Sequence, residues 1–418
     1  MILNKVFIII IIYLIKKTSL LLKFPFQYIK NITANYTQQL TESEIFTELK
    51  IGNPPQKILS KIAFDEFTFY IFNYKNDSSN IYYNNKNSNS FKIINNEEKQ
   101  YEYFNGQIAE EKFYFTDIKN KEIVLNNCSF IFTNKISLLS KKYPSGIGCI
   151  IRSKMKNEIN FFHELKSKNI INNLTFSFFF SNINEGEFII GNYPHEYNSS
   201  FDKNNFYYDK IRFNYMLDSS SVTFSELITY NQIYKEDYDL EFDINLYGII
   251  VHYDYFQFIK KNFFDEYITI NKCNIIMNER FNHFICDDDI DITKFQNITF
   301  INKVMNMSFI LDYNDLFFKY ENKFIFLGFN DKSLPGLWKI GRIFMVKYQA
   351  IFDLDREIIG FYKNIKNPSN NYLKIIIFVI LVCIIGILIF KSYKIIKKNR
   401  KVRANELEEN FDYIPQNI

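Results

Sequence analysis

Between two apolar terminal segments, this chain almost nowhere sustains an apolar repeat of 3.6 residues, and that absence limits its possible folds more than any other feature. It carries instead short aromatic and β-branched runs: Phe67 to Phe72, Phe113 to Phe115, Ser129 to Phe132 and Thr175 to Phe180. Most are bounded by Asn, Gly, Asp or Pro, the residues that supply turn geometry and end strands. The pattern predicts an all-β region of many strands joined by turns. Two windows break it, 160–168 and 253–264, and each reads as one short helix. With 47% hydrophobic and 18% aromatic residues the chain is too apolar to stay disordered. Its 418 residues suffice for one large or two medium domains.

The termini read differently. Residues 375–390 form an apolar run that Leu373 and a snorkelling Lys374 extend to bilayer length, so 373–390 is expected to be a transmembrane helix. Seven basic residues follow between Lys391 and Arg403, which by the positive-inside rule places the tail, 391–418, in the cytoplasm. At the other end, Lys5 precedes the ten-residue apolar run Val6 to Ile15, of signal-peptide length. Residues 1–22 are therefore expected to be a signal peptide, with an uncleaved signal anchor as the alternative. Together these describe a single-pass type I membrane protein of the secretory pathway, at the cell surface or in an endolysosomal or vacuolar membrane. Sequons at Asn31, Asn35, Asn76, Asn127, Asn173, Asn198, Asn297 and Asn306 all fall outside the tail, as a lumenal glycoprotein requires.

The chemistry-bearing residues are sparse. A net charge of +4, with much of the basic excess in one juxtamembrane stretch, gives no nucleic-acid-binding face. The four histidines, His163, His195, His252 and His283, are scattered and form no metal motif, so neither metal nor cofactor is expected. The acidic run Asp287 to Asp291 lacks the glycine of a calcium loop and reads as a solvated loop. Cys128, Cys149, Cys273 and Cys286 form an even set suited to an oxidising compartment, with connectivity open. Cys383 lies in the expected span.

Several tracts resemble the pepsin-like aspartic peptidase family in the order that family uses. Glu48 to Gln56 contains Ile51-Gly52-Asn53-Pro54-Pro55-Gln56, similar to the family's first hairpin. Ser145-Gly146-Ile147-Gly148-Cys149-Ile150 resembles a first-lobe turn, and Phe176-Ser177-Phe178 with Gly186 to Gly191 resembles a strand and hairpin. Phe295 to Phe300 follows in the second half. Leu337-Trp338-Lys339-Ile340-Gly341-Arg342-Ile343-Phe344-Met345, then Ala350 to Asp353 and Ile358 to Phe361, resembles the closing tract. The resemblance covers about residues 45–363. It implies a bilobal pepsin-like acid-protease fold with a cleft between lobes, in addition to the one C-terminal transmembrane helix. The expected organisation is an N-terminal segment 23–44, lobes 45–210 and 211–363, and a stalk 364–372. It also implies a disulfide between Cys273 and Cys286, with Cys128 and Cys149 able to pair.

Peptide hydrolysis in that family needs two carboxylates, one per lobe, sharing a proton around a water. Aligned from Gln56, the first position falls on Ala63, so that acid is lost; Asp65 is a poor substitute because Glu66 and Phe67 supply neither a bracing hydroxyl nor a glycine. In the second lobe Asp243 stands at the catalytic position, followed by Ile244 and Asn245 in place of Thr and Gly. The substrate flap corresponds to Tyr101 or Tyr103. One acid cannot be acid and base together. The resemblance therefore implies a membrane-anchored homologue that is catalytically degenerate and acts as a pseudopeptidase, binding a peptide or protein between its lobes or serving a structural role. The alternative is an active aspartic endopeptidase, working in the secretory or endolysosomal pathway, that pairs Asp243 with an unorthodox partner.

Overall fold

The computed structural model describes residues 20–29, 36–64, 67–73, 82–100, 104–136, 145–149, 159–214, 219–235 and 237–363. The chain divides into a compact unit, Met1–Lys363, and a second unit, Asn364–Ile418. The second unit lies outside the described residues, and with it the expected stalk, span and tail; so does the apolar run at 6–15. Among the described residues no helix is long and apolar enough to cross a membrane.

The first half of the unit supplies strands β1 (Leu22–Tyr28), β2 (Ile45–Ile51), β3 (Gln56–Ala63), β4 (Phe69–Phe72), β5 (Lys92–Gln100), β6 (Phe104–Thr116), β7 (Glu122–Ile136), β8 (Ser145–Gly148), β9 (Thr175–Asn182), β10 (Glu185–Ile190) and β11 (Phe206–Lys210). The second half supplies β12 (Arg212–Asn214), β13 (Ser219–Phe224), β14 (Glu226–Thr229), β15 (Gln232–Tyr234), β16 (Tyr238–Phe242), β17 (Ile249–Ile250), β18 (Cys273–Met277) and β19 (Phe281–Asp287). It continues through β20 (Ile298–Asn302), β21 (Met307–Leu311), β22 (Phe317–Tyr320), β23 (Lys323–Phe326), β24 (Gly328–Asp331), β25 (Trp338–Ile340), β26 (Ile351–Asp353) and β27 (Ile358–Tyr362). The protein is mostly β, and its strands sort into bilobal-like sheets. One sheet has thirteen strands in the order β11-β27-β26-β9-β10-β1-β2-β3-β8-β4-β7-β6-β5. A ten-stranded sheet runs β12-β13-β16-β25-β17-β24-β19-β23-β22 with β18 on β19, and a four-stranded sheet runs β15-β14-β20-β21.

The two halves repeat one pairing motif. In the first, β3 runs parallel to β8, β8 antiparallel to β4, and β4 parallel to β7. In the second, β16 runs parallel to β25, β25 antiparallel to β17, and β17 parallel to β24. Ala63 ends β3 and Asp243 follows β16, so both aligned positions occupy the same place in their copies. The sheets do not divide at residue 211: β26 pairs with β9 and β27 with β11, so the last hairpin returns to the first sheet. β1, which precedes the expected first lobe, is an interior strand between β10 and β2.

Local sequence explains the punctuation. Gly52 turns the β2–β3 hairpin at φ +98°, a backbone region costly for any residue with a Cβ. Helix α1 (Tyr36–Thr41) was not anticipated from the sequence; α2 (Phe161–Ser167) and α3 (Tyr253–Ile259) fall in the two windows that read as helical. Asn160 caps α2 by accepting the amides of Phe162 and His163, and Phe161, Phe162 and Leu165 bury the apolar face. The His252 side chain accepts the Asp254 amide at the start of α3, which buries Tyr255, Phe256 and Ile259 and runs on through Lys260–Phe264 as a π turn. Helix α4 (Arg342–Lys347) follows β25.

Phenylalanine rings make the core continuous. Phe352 of β26 meets Phe64, just after Ala63, at 5.3 Å, and Phe242, just before Asp243, at 5.8 Å, both edge-on. Such contacts add about 0.5–1.5 kcal/mol each beyond area burial. One ring of the closing hairpin thus ties together the two strands that end at the candidate site.

Candidate functional site

The site is built where the Asp243 loop meets β2 and β3. Gly341 sets the approach. A Cβ there would lie 2.3 Å from the carbonyl oxygens of both Leu246 and Gly248, so only glycine lets β25 and the loop pass so closely. The loop is then held by backbone bonds from Gly341 to Gly248 and from Arg342 to Leu246, at 3.0 and 2.8 Å.

Asp243 sits at the surface of this loop with its side chain 24% exposed. One carboxylate oxygen accepts the Asn245 amide at 2.9 Å, and the other lies 3.6 Å from the Lys339 ammonium, which also neighbours Glu241 at 3.9 Å. Ala63 is fully buried and offers a methyl group where the second acid would stand. Asp65 lies outside the described residues, as do Tyr101 and Tyr103, although the flanking hairpin strands β5 and β6 are in place.

Asn245, two residues past Asp243, stitches the halves together. Its side-chain amide donates to the Ile62 carbonyl at 3.2 Å, its side-chain oxygen accepts the Ile45 amide at 3.2 Å, and its carbonyl accepts both the amide and the hydroxyl of Ser43 at 2.7 and 3.1 Å. The strand of Ala63 and the loop of Asp243 are therefore neighbours, as the aligned positions imply.

Sequence reasoning missed Arg342. It is fully buried, donates from Nη2 to the Ser43 hydroxyl, and lies 5.3 Å from the Tyr28 ring centroid and 5.5 Å from that of Tyr247. Its Nε and Nη1 have no hydrogen-bond partner among the described residues. Burial lowers its pKa to about 10, well below the ordinary arginine range, with Tyr247, Tyr28 and Asp243 opposing the shift. A lone arginine inside the apolar tract Ile340 to Met345 was the available signal. The seam thus presents a buried cation, a buried methyl and one ion-paired carboxylate.

No protein-family model and no curated protein matches the chain. Among solved structures it matches basic 7S globulin from soybean, with a TM-score of 0.61 at 10% identity over 83% of this chain and 97% of that one. It also matches conglutin gamma, a basic 7S globulin from lupine seeds, with a TM-score of 0.62 at 9% identity over 83% and 96%. The chain shares the basic 7S globulin fold. The expectation of membership in the aspartic peptidase family is corrected by these findings: both of these structures are globulins of pepsin-like fold that are not peptidases. The tracts that suggested a peptidase include the glycines and strand ends this fold needs, as Gly341 and Gly52 show.

The remaining cysteines and acids have defined places. Cys273 and Cys286 form a disulfide between β18 and β19. Cys128 and Cys149 do not pair with each other; both are buried thiols, and the surrounding apolar core pushes the Cys128 thiol well above its usual range. In the acidic run, Asp287 pairs with Lys323, Asp288 with Lys319 at 3.1 Å, and Asp289 with Lys272, while Asp291 caps a turn at Thr293. A cavity of about 810 Å³ lies over β1, β2, β6, β9 and β10 and is lined by Phe24, Phe26, Phe46 and Phe180 among others. It includes none of the aligned site residues.

Proposed function

We propose that the protein is a non-catalytic member of the pepsin-like fold, with a binding or structural role, whose seam between halves recognises peptide backbone. The observation that carries the reading is the composition of the seam: Ala63 in place of one acid, Asp243 held by Lys339, and Arg342 buried beside them. Its ligand is a peptide or protein segment, taken by backbone pairing with side chains in pockets. On the sequence pattern alone, the globular unit stands on the outer or lumenal face of a membrane, anchored by residues 373–390 as a type I protein.

The test is proteolysis by the purified 20–363 unit on denatured protein and peptide libraries between pH 3 and 7. The expected result is no cleavage above a buffer control. Cleavage that disappears in Asp243→Asn would sink the non-catalytic reading, because that substitution removes the acid while keeping its shape.

A further inference from the structure

The loop that carries Asp243 already has an occupant from the same chain. Residues 37–45 lie along it: the Tyr247 amide donates to the Leu40 carbonyl at 2.9 Å, and Ser43 and Ile45 bond to Asn245 as described above. The Thr37 hydroxyl comes within 3.5 Å of His283 Nε2. Thr37, Leu40 and Ser43 are buried by these contacts, at 4%, 5% and 0% exposure. Backbone pairing with small or apolar side chains sunk into the host is how a folded domain takes up a peptide segment.

The occupant is weakly built by itself. Helix α1 has six residues, far short of the about 12–15 at which an isolated helix becomes even marginal. It joins β1 to β2, and both of those strands pair elsewhere in the sheet. The host side is unevenly satisfied: Arg342 gives one N–H to Ser43, while Nε and Nη1 find no acceptor among the described residues. An acidic side chain at the Ser43 position would meet that guanidinium with charge-assisted hydrogen bonds.

We propose that residues 37–44 are a self-ligand, filling in cis a peptide site formed by Asn245, Tyr247, His283 and Arg342. The partner that displaces them is a peptide with leucine three residues ahead of a small acidic or hydroxyl residue, as Leu40 stands ahead of Ser43. The inference rests on the non-catalytic reading and names the ligand class for the same seam. Because the site is closed in the resting protein, its apparent affinity for such a peptide is reduced by the fraction of molecules that are open.

The experiment is fluorescence anisotropy with labelled synthetic peptides spanning residues 36–45, one natural and one carrying Ser43→Asp. They are titrated with the unaltered 20–363 unit and with a Leu40→Ala/Ser43→Ala double variant shown to be folded by circular dichroism. The double variant is expected to bind the natural peptide at least about tenfold more tightly than the unaltered protein does, since weakening the self-ligand raises the open fraction, and to bind the acidic peptide more tightly still. Equal binding by both proteins, or none by the folded double variant, overturns the proposal. If that variant does not fold, hydrogen exchange on the unaltered protein decides: the Ser43 and Tyr247 amides should exchange together and ahead of Ile58 and Ile62, and exchange only through global unfolding overturns it. Cleavage of the peptide by the double variant would overturn the non-catalytic reading and leave the self-ligand standing; absent binding without cleavage would do the reverse.

Discussion

Replacing Arg342 with methionine should leave the protein about as stable as before, although Arg342 is a fully buried side chain bonded across the seam. The magnitude follows from its surroundings. Lowering its pKa to about 10, well below the ordinary arginine range, means that the charged form is disfavoured in the folded state by about 3 kcal/mol. Against that, the bond from the guanidinium to the Ser43 hydroxyl returns about 1.5–3 kcal/mol. Methionine keeps the unbranched stem, and its sulfur can lie between the Tyr28 and Tyr247 rings for about 0.3–1.5 kcal/mol per contact. The sum is a change within about 1–2 kcal/mol of zero, in line with the replacement of buried ions by apolar residues of similar volume. Ser43→Ala should be worse, costing about 1.5–3 kcal/mol, because it leaves the charge in place and removes its hydrogen-bond partner. Urea unfolding of both variants at pH 7 measures the pair. A loss above about 3 kcal/mol in Arg342→Met, exceeding that of Ser43→Ala, would refute the reasoning by showing that the buried cation is fully compensated.

Three further outcomes follow from the same geometry. Removing the Cys273–Cys286 bridge by double alanine substitution opens a loop of sequence separation 13, and calorimetry should show a loss of about 3 kcal/mol from restored chain entropy. Burial lowers the His283 pKa to about 4, so the unfolded chain binds the extra proton first as pH falls; this stability is complete above about pH 6.5 and lost progressively toward pH 4. That loss amounts to about 3 kcal/mol, and His283→Gln should flatten the slope of unfolding free energy against pH across this window. Gly341→Ala places a methyl group against two backbone carbonyls that cannot move aside, so soluble expression and a cooperative melting transition should both be lost.

Much of the architecture was legible because it is written in short-range patterns. Aromatic runs with turn residues at their ends predict strands, and the windows 160–168 and 253–264 that break this pattern hold α2 and α3. Gly52 and Gly341 mark places where backbone conformation or close approach excludes a side chain. Ala63 and Asp243 were aligned through the resemblance of their tracts, and they fall at the end of β3 and just after β16. The family attribution built on those same tracts failed because glycines and strand ends report a fold, and a fold does not carry a function with it.

What the sequence alone determined is therefore the β character of the chain and the absence of an Asp at position 63. Only the tertiary structure decided how the seam is filled. Arg342 and Ser43 stand 299 residues apart and Tyr247 and Leu40 meet across the chain, so no local pattern distinguishes these polar groups from surface ones. The return of β26 and β27 to the first sheet, and the interior place of β1, are likewise pairings between distant strands. Hydrogen bonding and burial are properties of the assembled surfaces, and residue order determines them only once the chain has folded.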